Sequence, residues 1–362
     1  MYIVTNRKLD ESAKGLDIFG SVPSEKGPNE LRLVKATLAG TQYQTEVLDD
    51  RLTEQEIIDL KEQYNLDIDP AEPWYVSLKV ACEIMAEARR QKKHVLFYVH
   101  GYNNDLQDIV NSAAALEELY KVMVVPFTWP ANGGGALTGL ASYLSDKQDA
   151  RASADALNRF IDKISLYHKL LTENRSQQLW DKAIKKFPNN QEASRQHYVD
   201  LQNRDCKITI NLMCHSMGNY LLKYALMPSD SAAANLVFDN VSLVAADANN
   251  ERHELWVQRL QVRHRVYVVI NENDFALKWS RRKPGEAQLA RLGHYLKNLM
   301  ANNSHYLDVT EAAKVKNEHT YFIGAPVLKN PALKKLFHNA FEGGTAEAGL
   351  EYRADINAYV LK

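Results

Sequence analysis

Hydrophobic residues in the middle of the chain follow two alternating patterns. His94–Val99 (HVLFYV) and residues 122–127 are almost uninterrupted apolar runs, typical of strands buried on both faces of a parallel sheet. Between them, residues 106–120 carry apolar positions at helical spacing, and Asp105 stands where an N-cap is expected. This succession of strand and helix predicts an α/β domain with a mostly parallel, doubly wound sheet.

Other segments extend this sheet at its two ends. Further short apolar runs predict later strands at residues 241–246, 265–270 and 306–309. Near the N-terminus, Tyr2–Thr5 and a hairpin formed by residues 31–38 and 43–48 predict an antiparallel edge. Residues 2–48 show no candidate chemistry.

One long polar stretch interrupts the alternation. Residues 166–205 are mostly helix-forming and exceed what a connection between strand and helix needs. We interpret them as a helical cap or lid inserted into a single domain that spans residues 1–362. Residues 290–300 also predict a helix, whereas the tail after Pro331–Phe341 carries no clear pattern.

The strongest local signal is the stretch 207–227, KITINLMCHSMGNYLLKYALM. An apolar strand leads into Cys214-His215-Ser216-Met217-Gly218, and a helical run follows at once. A serine at such a corner sits on a strained turn that exposes its hydroxyl to the amide dipoles of the new helix. The usual pattern is G-x-S-x-G. Cys214 replaces the first glycine, and its apolar neighbours suggest that it serves packing.

A serine hydroxyl needs a base to activate it and an acid to orient that base. Where a serine occupies this kind of corner, the partners come from later strand ends in the order acid, then histidine. Asp274 ends one later strand, and His319 follows the next, so we predict the triad Ser216, Asp274 and His319. Asp247, one strand earlier, is the alternative acid.

Two other histidines compete as the base. His305 precedes a strand and is expected at the opposite edge of the sheet, and His294 lies in the predicted helix. Both are therefore less suitable than His319.

The negative charge that develops on a carbonyl oxygen requires backbone N–H donors. Met217, directly after the serine, and Tyr102, in the turn after His94–Val99, are the predicted oxyanion donors. Gly101 lets this turn pass close to the site. We interpret His100 and His215 as structural residues.

Composition narrows the classes of function. The net charge of −1 gives no reason to expect a nucleic-acid partner. Cys82, Cys206 and Cys214 are odd in number and lack C-x-x-C spacing, so no disulfide framework or metal site is indicated. No segment resembles a membrane span or a signal peptide. We therefore expect a cytoplasmic protein without a metal or organic cofactor.

Four motifs in order resemble those of a family of bacterial α/β-hydrolases of unassigned function. They are V-H-G-Y-N-N at residues 99–104, F-x-W-P at 127–130, H-S-M-G-N at 215–219 and N-D-x-A-L at 273–277. His319-Thr320-Tyr321-Phe322 is similar to the histidine segment of that family. The resemblance implies the α/β-hydrolase fold and a serine hydrolase apparatus at Ser216, Asp274 and His319, but it names no substrate.

The expected activity is hydrolysis of a carboxylic ester through an acyl-enzyme, with thioesters or lipid acyl bonds close behind. The expected partner is a small acyl ester or lipid-like molecule. One alternative is a lipase or phospholipase that acts at a membrane surface with residues 166–205 as its lid. A second alternative is a catalytically idle hydrolase scaffold used for binding.

Overall fold

The computed structural model describes residues 1–102, 104–131, 139–205, 207–228, 236–281 and 290–362, with residues 139–142 described by their backbone. Asn103 and Cys206, which belong to patterns noted above, lie outside these ranges. The strands are β1 Tyr2–Thr5, β2 Arg7–Leu9, β3 Phe19–Pro23, β4 Arg32–Ala39, β5 Gln42–Val47, β6 His94–Val99, β7 Val122–Thr128, β8 Ile210–His215, β9 Asn240–Val244, β10 Arg265–Ile270, β11 Ser304–Asp308, β12 Glu351–Arg353 and β13 Ala358–Val360. The α-helices are α1 Glu54–Tyr64, α2 Val76–Gln91, α3 Leu106–Leu119, α4 Gly139–Ala152, α5 Ala154–Lys186, α6 Gln191–Arg204, α7 Met217–Ala225, α8 Glu254–Val257, α9 Phe275–Ser280, α10 Ala325–Lys329 and α11 Pro331–Phe341.

Most of these strands join one mixed sheet. In the described part of the chain its strand order is β12-β13-β11-β10-β9-β8-β6-β7-β1-β4-β5. Neighbours from β1 through β13 in this order pair in parallel, whereas β4 and β5 at one edge and β12 at the other are antiparallel. The predicted mostly parallel α/β-hydrolase sheet with an antiparallel N-terminal edge is therefore confirmed.

Helices cover both faces of the sheet. Along β6, Val95 and Phe97 pack into the layer that contains α2, α5 and α7. Leu96 and Tyr98 alternate with them and pack into the layer that contains α3 and α11. Successive side chains of a strand point to opposite faces, so an apolar run without polar interruptions is what a two-sided core requires.

The two C-terminal strands and the region around His294 differ from the predictions. The tail forms β12 and β13, and β13 pairs with β11, but three-residue strands are too short to show a periodic pattern. Residues 292–294 form a 3₁₀ turn in place of the predicted helix. A Cβ on Gly293 would lie 2.1 Å from the Ala246 nitrogen, so the chain here follows the neighbouring strand closely. The Gly293 N–H donates to the Ala246 carbonyl, and the Leu292 N–H donates to the Ala248 carbonyl.

The predicted insertion at residues 166–205 begins inside a helix. Because α5 is continuous from Ala154 to Lys186, residue 166 marks no structural boundary, and α6 packs against α5. Leu171 packs into the cluster formed with α1, and Asn174 donates a hydrogen bond to the Tyr64 carbonyl. His168 lies close enough to Asp239 and Arg263, which precede β9 and β10, for both to act on its pKa. A cap function for this segment stays a prediction.

Buried asparagine side chains connect α11 to the sheet through hydrogen bonds. Asn240 donates to the carbonyl oxygens of Ala340 (3.0 Å) and Gly344 (2.8 Å), and Asn211 donates to that of Phe341 (2.8 Å). The backbone N–H of Asn240 donates to Asn211 Oδ1 at 3.1 Å. The last carbonyls of a helix have no partner within the helix, so these side chains supply the missing donors.

Replacing Asn240 with Ala removes both donors from buried carbonyl oxygens. We expect the free energy of unfolding to fall by about 2–4 kcal/mol, measured by chemical denaturation. Asn111→Ala, at an exposed position on α3, is the control and should cost less than about 0.5 kcal/mol. Equal losses in the two variants would contradict the role assigned to Asn240.

Candidate active site

Ser216 occupies the sharp corner between β8 and α7. Its backbone angles are φ 52° and ψ −120°, a region that a residue with a side chain adopts only when its surroundings impose it. The Ser216 N–H donates to the Val244 carbonyl on β9, and the Ser216 carbonyl accepts from the Asp247 N–H, each at 3.1 Å. The strained turn is thus held by the adjacent strand and its extension.

The Asn219 side chain closes this corner from the inside. Its Nδ2 donates to the carbonyl oxygens of Cys214 (2.9 Å), Ser216 (3.1 Å) and Val244 (3.2 Å). The side chain is completely buried. The asparagine of the H-S-M-G-N motif therefore stabilises the turn, a role that the sequence analysis did not assign.

Two glycines permit close backbone contacts at the corner. A Cβ on Gly218 would lie 2.7 Å from the Val99 carbonyl oxygen, and a Cβ on Gly101 would lie 2.7 Å from the Ser216 Cβ. Real Cβ atoms do not reach such distances, so both positions require glycine. Cys214 is fully buried in the core, and burial raises the pKa of its thiol, which agrees with a packing role.

His319 lies in the loop after β11 and contacts Asp274. Its Nδ1 donates to Asp274 Oδ2 at 2.7 Å, while Asp274 Oδ1 caps α9 by accepting from the Leu277 N–H at 3.0 Å. The Asp274 carboxylate is fully buried, whereas 23% of the His319 side chain is exposed. Because a carboxylate only accepts, this contact assigns the proton to Nδ1 and leaves Nε2 of the neutral ring as an acceptor.

Asn271 ties the histidine loop to the acid. Its Nδ2 donates to the carbonyl oxygens of Lys316 (3.0 Å) and Glu318 (3.2 Å), three residues and one residue before His319. The Asp274 N–H donates to the Asn271 carbonyl. The segment that follows β10 therefore provides both the Asp274 carboxylate and the Asn271 side chain that holds the loop of His319.

His215, the residue directly before the serine, contacts His319. His215 Nε2 donates to the His319 carbonyl at 3.2 Å, and the two ring centroids are 4.6 Å apart. Burial, assisted by His319, lowers the pKa of His215 well below its usual value, so this ring is neutral. The sequence analysis interpreted His215 only as structural, and its contact shows that it positions the His319 backbone.

Asp247, the alternative acid, is bound by other residues. Its carboxylate accepts hydrogen bonds from Ser280 Oγ (2.5 Å) and Tyr143 OH (3.1 Å), and Arg291 Nε lies 3.0 Å from it. Asp247 and Arg291 form a buried ion pair, with 4% of each side chain exposed. The Tyr143 ring packs edge-on against Tyr102, so this cluster adjoins the turn with the predicted oxyanion donor. Sequence patterns gave no signal for Tyr143, Ser280 or Arg291.

His100 supports the Gly101 turn from below. Its Nδ1 donates to the Gly101 carbonyl at 2.8 Å, and its Nε2 accepts from the Trp129 N–H at 3.3 Å. Thr128 Oγ1 lies 3.1 Å from Nε2 and itself accepts a hydrogen bond from Arg7 Nε at 2.9 Å. Burial first, and then the charge of Arg7, lower the pKa of His100 to about 3. Arg7 thus reaches the site from the N-terminal region in which the sequence showed no chemistry.

The two competing histidines contact other groups. His305 lies within β11, and its Nε2 is 3.6 Å from Glu347. His294 is buried beside the Gly293 contact, and within the described ranges neither of its ring nitrogens has a hydrogen-bond partner. No group of three or more potential metal ligands occurs among the described residues. None of the helices described here is long and apolar enough to span a membrane.

The strand order, the corner at Ser216 and the flanking helices together define an α/β-hydrolase. The chain matches the family described as alpha/beta hydrolase of unknown function (DUF900) over residues 80–171 and 178–337. This match covers more than half of the chain and includes every predicted site residue, so the chain belongs to that family. The resemblance seen in the motifs is confirmed. Comparisons with curated proteins and with solved structures gave no match.

The buried neutral state of His100 makes stability depend on pH. Its pKa is about 3 in the folded protein, against 6.5 when exposed, so below pH 6.5 the unfolded chain binds more protons. The free energy of unfolding should therefore fall as the pH is lowered from about 6.5 towards 3. In His100→Asn we expect a shallower slope over this range, by up to ~1.4 kcal/mol per pH unit, measured by urea denaturation.

His197→Asn, on α6, controls for the loss of an imidazole elsewhere and should not flatten the slope. If wild type and His100→Asn had parallel pH profiles, His100 would not be held neutral by the fold.

Proposed function

We propose that the protein is a serine hydrolase that cleaves carboxylic esters through an acyl-enzyme. Membership of an α/β-hydrolase family supports a hydrolase in general. The observation that carries the finer assignment is the 2.7 Å contact between His319 Nδ1 and Asp274 Oδ2. His215, the neighbour of Ser216, holds the backbone of that same histidine.

The proposed reaction has two halves. Ser216 Oγ attacks the ester carbonyl carbon while its proton passes to Nε2 of His319. When the tetrahedral intermediate collapses, the bond to the alcohol oxygen breaks and His319 protonates the leaving alcohol. Water then attacks the acyl-serine with the same histidine as base, which releases the acid and restores Ser216. Asp274 stabilises the imidazolium that forms in each half.

The backbone amides of Met217 and Tyr102 are the proposed oxyanion donors. Met217 is the first residue of α7, where helix N–H groups have no partner within the helix. The close contact between Gly101 and Ser216 supports Tyr102 as the second donor, because the next amide in the chain is its own.

Small esters rank ahead of substrates at a membrane surface. The lipase alternative uses residues 166–205 as a lid. In the structure Leu171 of this segment packs with α1 and His168 lies near Asp239, and neither contact supports a lid. Thioesters and lipid acyl bonds remain within the proposal because the same chemistry cleaves them.

Ser216→Ala tests the nucleophile directly. We expect a fluorophosphonate probe to label wild type and not the variant, and turnover of short-chain phenyl esters to fall by about 10³-fold or more. Ser304→Ala, at the start of β11, is the control and should be labelled like wild type. A folded wild-type protein that resists labelling and cleaves no ester would support the idle scaffold instead.

A pair of substitutions separates the two candidate acids. Asp274→Asn should lower kcat/KM by about 10³ to 10⁴-fold because His319 loses its carboxylate. Asp247→Asn should leave Arg291 unpaired in the core and lower the free energy of unfolding by about 3–5 kcal/mol. The folded Asp247→Asn protein should retain kcat/KM within about tenfold of wild type. The reverse pattern, seen in ester kinetics and denaturation curves, would assign the acid to Asp247.

A further inference from the structure

A cavity lies on the face of the sheet between α2 and α5. Its volume is about 390 Å³, within the range of ~300–1,000 Å³ that is usual for small-molecule sites. Phe97 of β6 and Val125 of β7 form part of its floor, and Ile84 of α2 and Ile164 of α5 form part of its walls. The interior is thus built mainly from aliphatic and aromatic side chains.

The packing of the core shows that side chains leave this space unfilled. Phe97 and Phe160, which line the cavity, keep 8% and 7% of their surface exposed. By contrast, Val95 and Val99, two residues before and after Phe97 on the same face of β6, are 1% and 0% exposed. Phe97 is therefore less closely packed than its two neighbours on that face.

The cavity is separate from the proposed catalytic centre. The described residues that line it include neither Ser216 nor its proposed partners. Val99 of β6 and Cys214 of β8 pair between the cavity floor and the serine corner, and both are completely buried. A ligand here would not contact the reacting atoms.

Cationic side chains predominate at the mouth. Lys163 Nζ lies 4.0 Å from the centroid of the Tyr75 ring, and Arg51 Cζ lies 5.7 Å from the same ring. Arg159, one turn before Lys163 on α5, donates a hydrogen bond to the Asn29 carbonyl. In the described ranges, none of these three cations forms an ion pair.

Carboxylates at the mouth do not balance this charge. Asp50 faces Arg32 at 3.9 Å, and Glu30 faces Lys26 at the same distance. Asp49, the remaining carboxylate of the lining, is exposed. Among the described residues, one carboxylate without an ion pair therefore stands against three such cations, which favours an anionic ligand group here.

We propose that this cavity binds a single-chain amphiphile whose apolar tail fills the interior and whose carboxylate lies at the mouth near Lys163 and Arg51. A fatty acid of medium chain length has this chemistry. An uncharged chain would leave the cations unused, and a cationic one would be repelled by them. The proposal does not depend on the hydrolase activity proposed above.

The charge preference can be measured by calorimetry on the full chain. Decanoate, decanol and decyltrimethylammonium, each below its micelle-forming concentration, share a tail and differ in charge. We expect decanoate to bind about tenfold more tightly than decanol, and the ammonium compound to bind most weakly. The double variant Arg51→Gln with Lys163→Gln should weaken decanoate about tenfold and leave decanol unchanged. Lys169→Gln, an exposed position on the same helix, is the matched control.

A second pair of variants locates the tail. Ala81 lines the cavity from α2, so Ala81→Phe should fill the space and abolish binding of both decanoate and decanol. Ala81→Leu should weaken both ligands and serves if the phenylalanine variant does not fold. Equal affinity for decanoate and decanol in wild type, or decanoate binding that survives the filled cavity, would overturn the proposal. Either result would show that the amphiphile binds elsewhere or without the cations.

Discussion

The candidate active site depends on a close backbone contact between the end of β6 and the start of α7. Gly218 and Gly101 allow this approach, and a Cβ at either position would lie at 2.7 Å from a neighbouring atom. The contact fixes Ser216 in its strained conformation and brings the turn after β6 against its side chain. Below that turn, Arg7, Thr128 and His100 are buried in one hydrogen-bonded chain. Removing the strain would separate the serine from the turn.

Buried neutral amides support the backbone near this contact and at the opposite end of the sheet. Asn219, Asn271 and Asn240 are completely buried, and each donates to more than one backbone carbonyl. An amide satisfies loop and helix-end carbonyls without the desolvation cost of a charge. The buried ion pair between Asp247 and Arg291 is a different solution, since Ser280 and Tyr143 also bond to its carboxylate. Asn219, Asn271 and the ion pair lie near the carboxyl ends of the strands, where this class of fold carries its chemistry, whereas Asn240 lies at the amino end of β9.

Sequence patterns predicted the elements whose signal is continuous and local. The apolar run of β6 and the helix Pro331–Phe341 agree with the structure, since burial on two faces or on one helical face leaves a clear period. The 3₁₀ turn at Leu292–His294 was missed because tight packing of Gly293 overrides the helical propensity of its neighbours. The strand β13 was missed because it is short and gains its partner from β11.

The candidate site was likewise only partly predictable from the sequence. Chain order and the strand-to-helix corner suffice to nominate Ser216, Asp274 and His319. The contacts of His215, Asn219 and Arg291 are side-chain contacts between distant segments, and no local pattern encodes them. The cavity between α2 and α5 could not be foreseen either, because it arises from the fit of helices that are far apart in sequence.

The two adjacent imidazoles have a further consequence. His215 is buried and uncharged, and in the described part of the chain its side chain bonds to the carbonyl of His319. When His319 gains a proton, the cation thus forms beside a neutral ring on one side and a carboxylate on the other. His215, the ring next to the serine, therefore places no second positive charge beside the imidazolium that the proposed mechanism forms at His319.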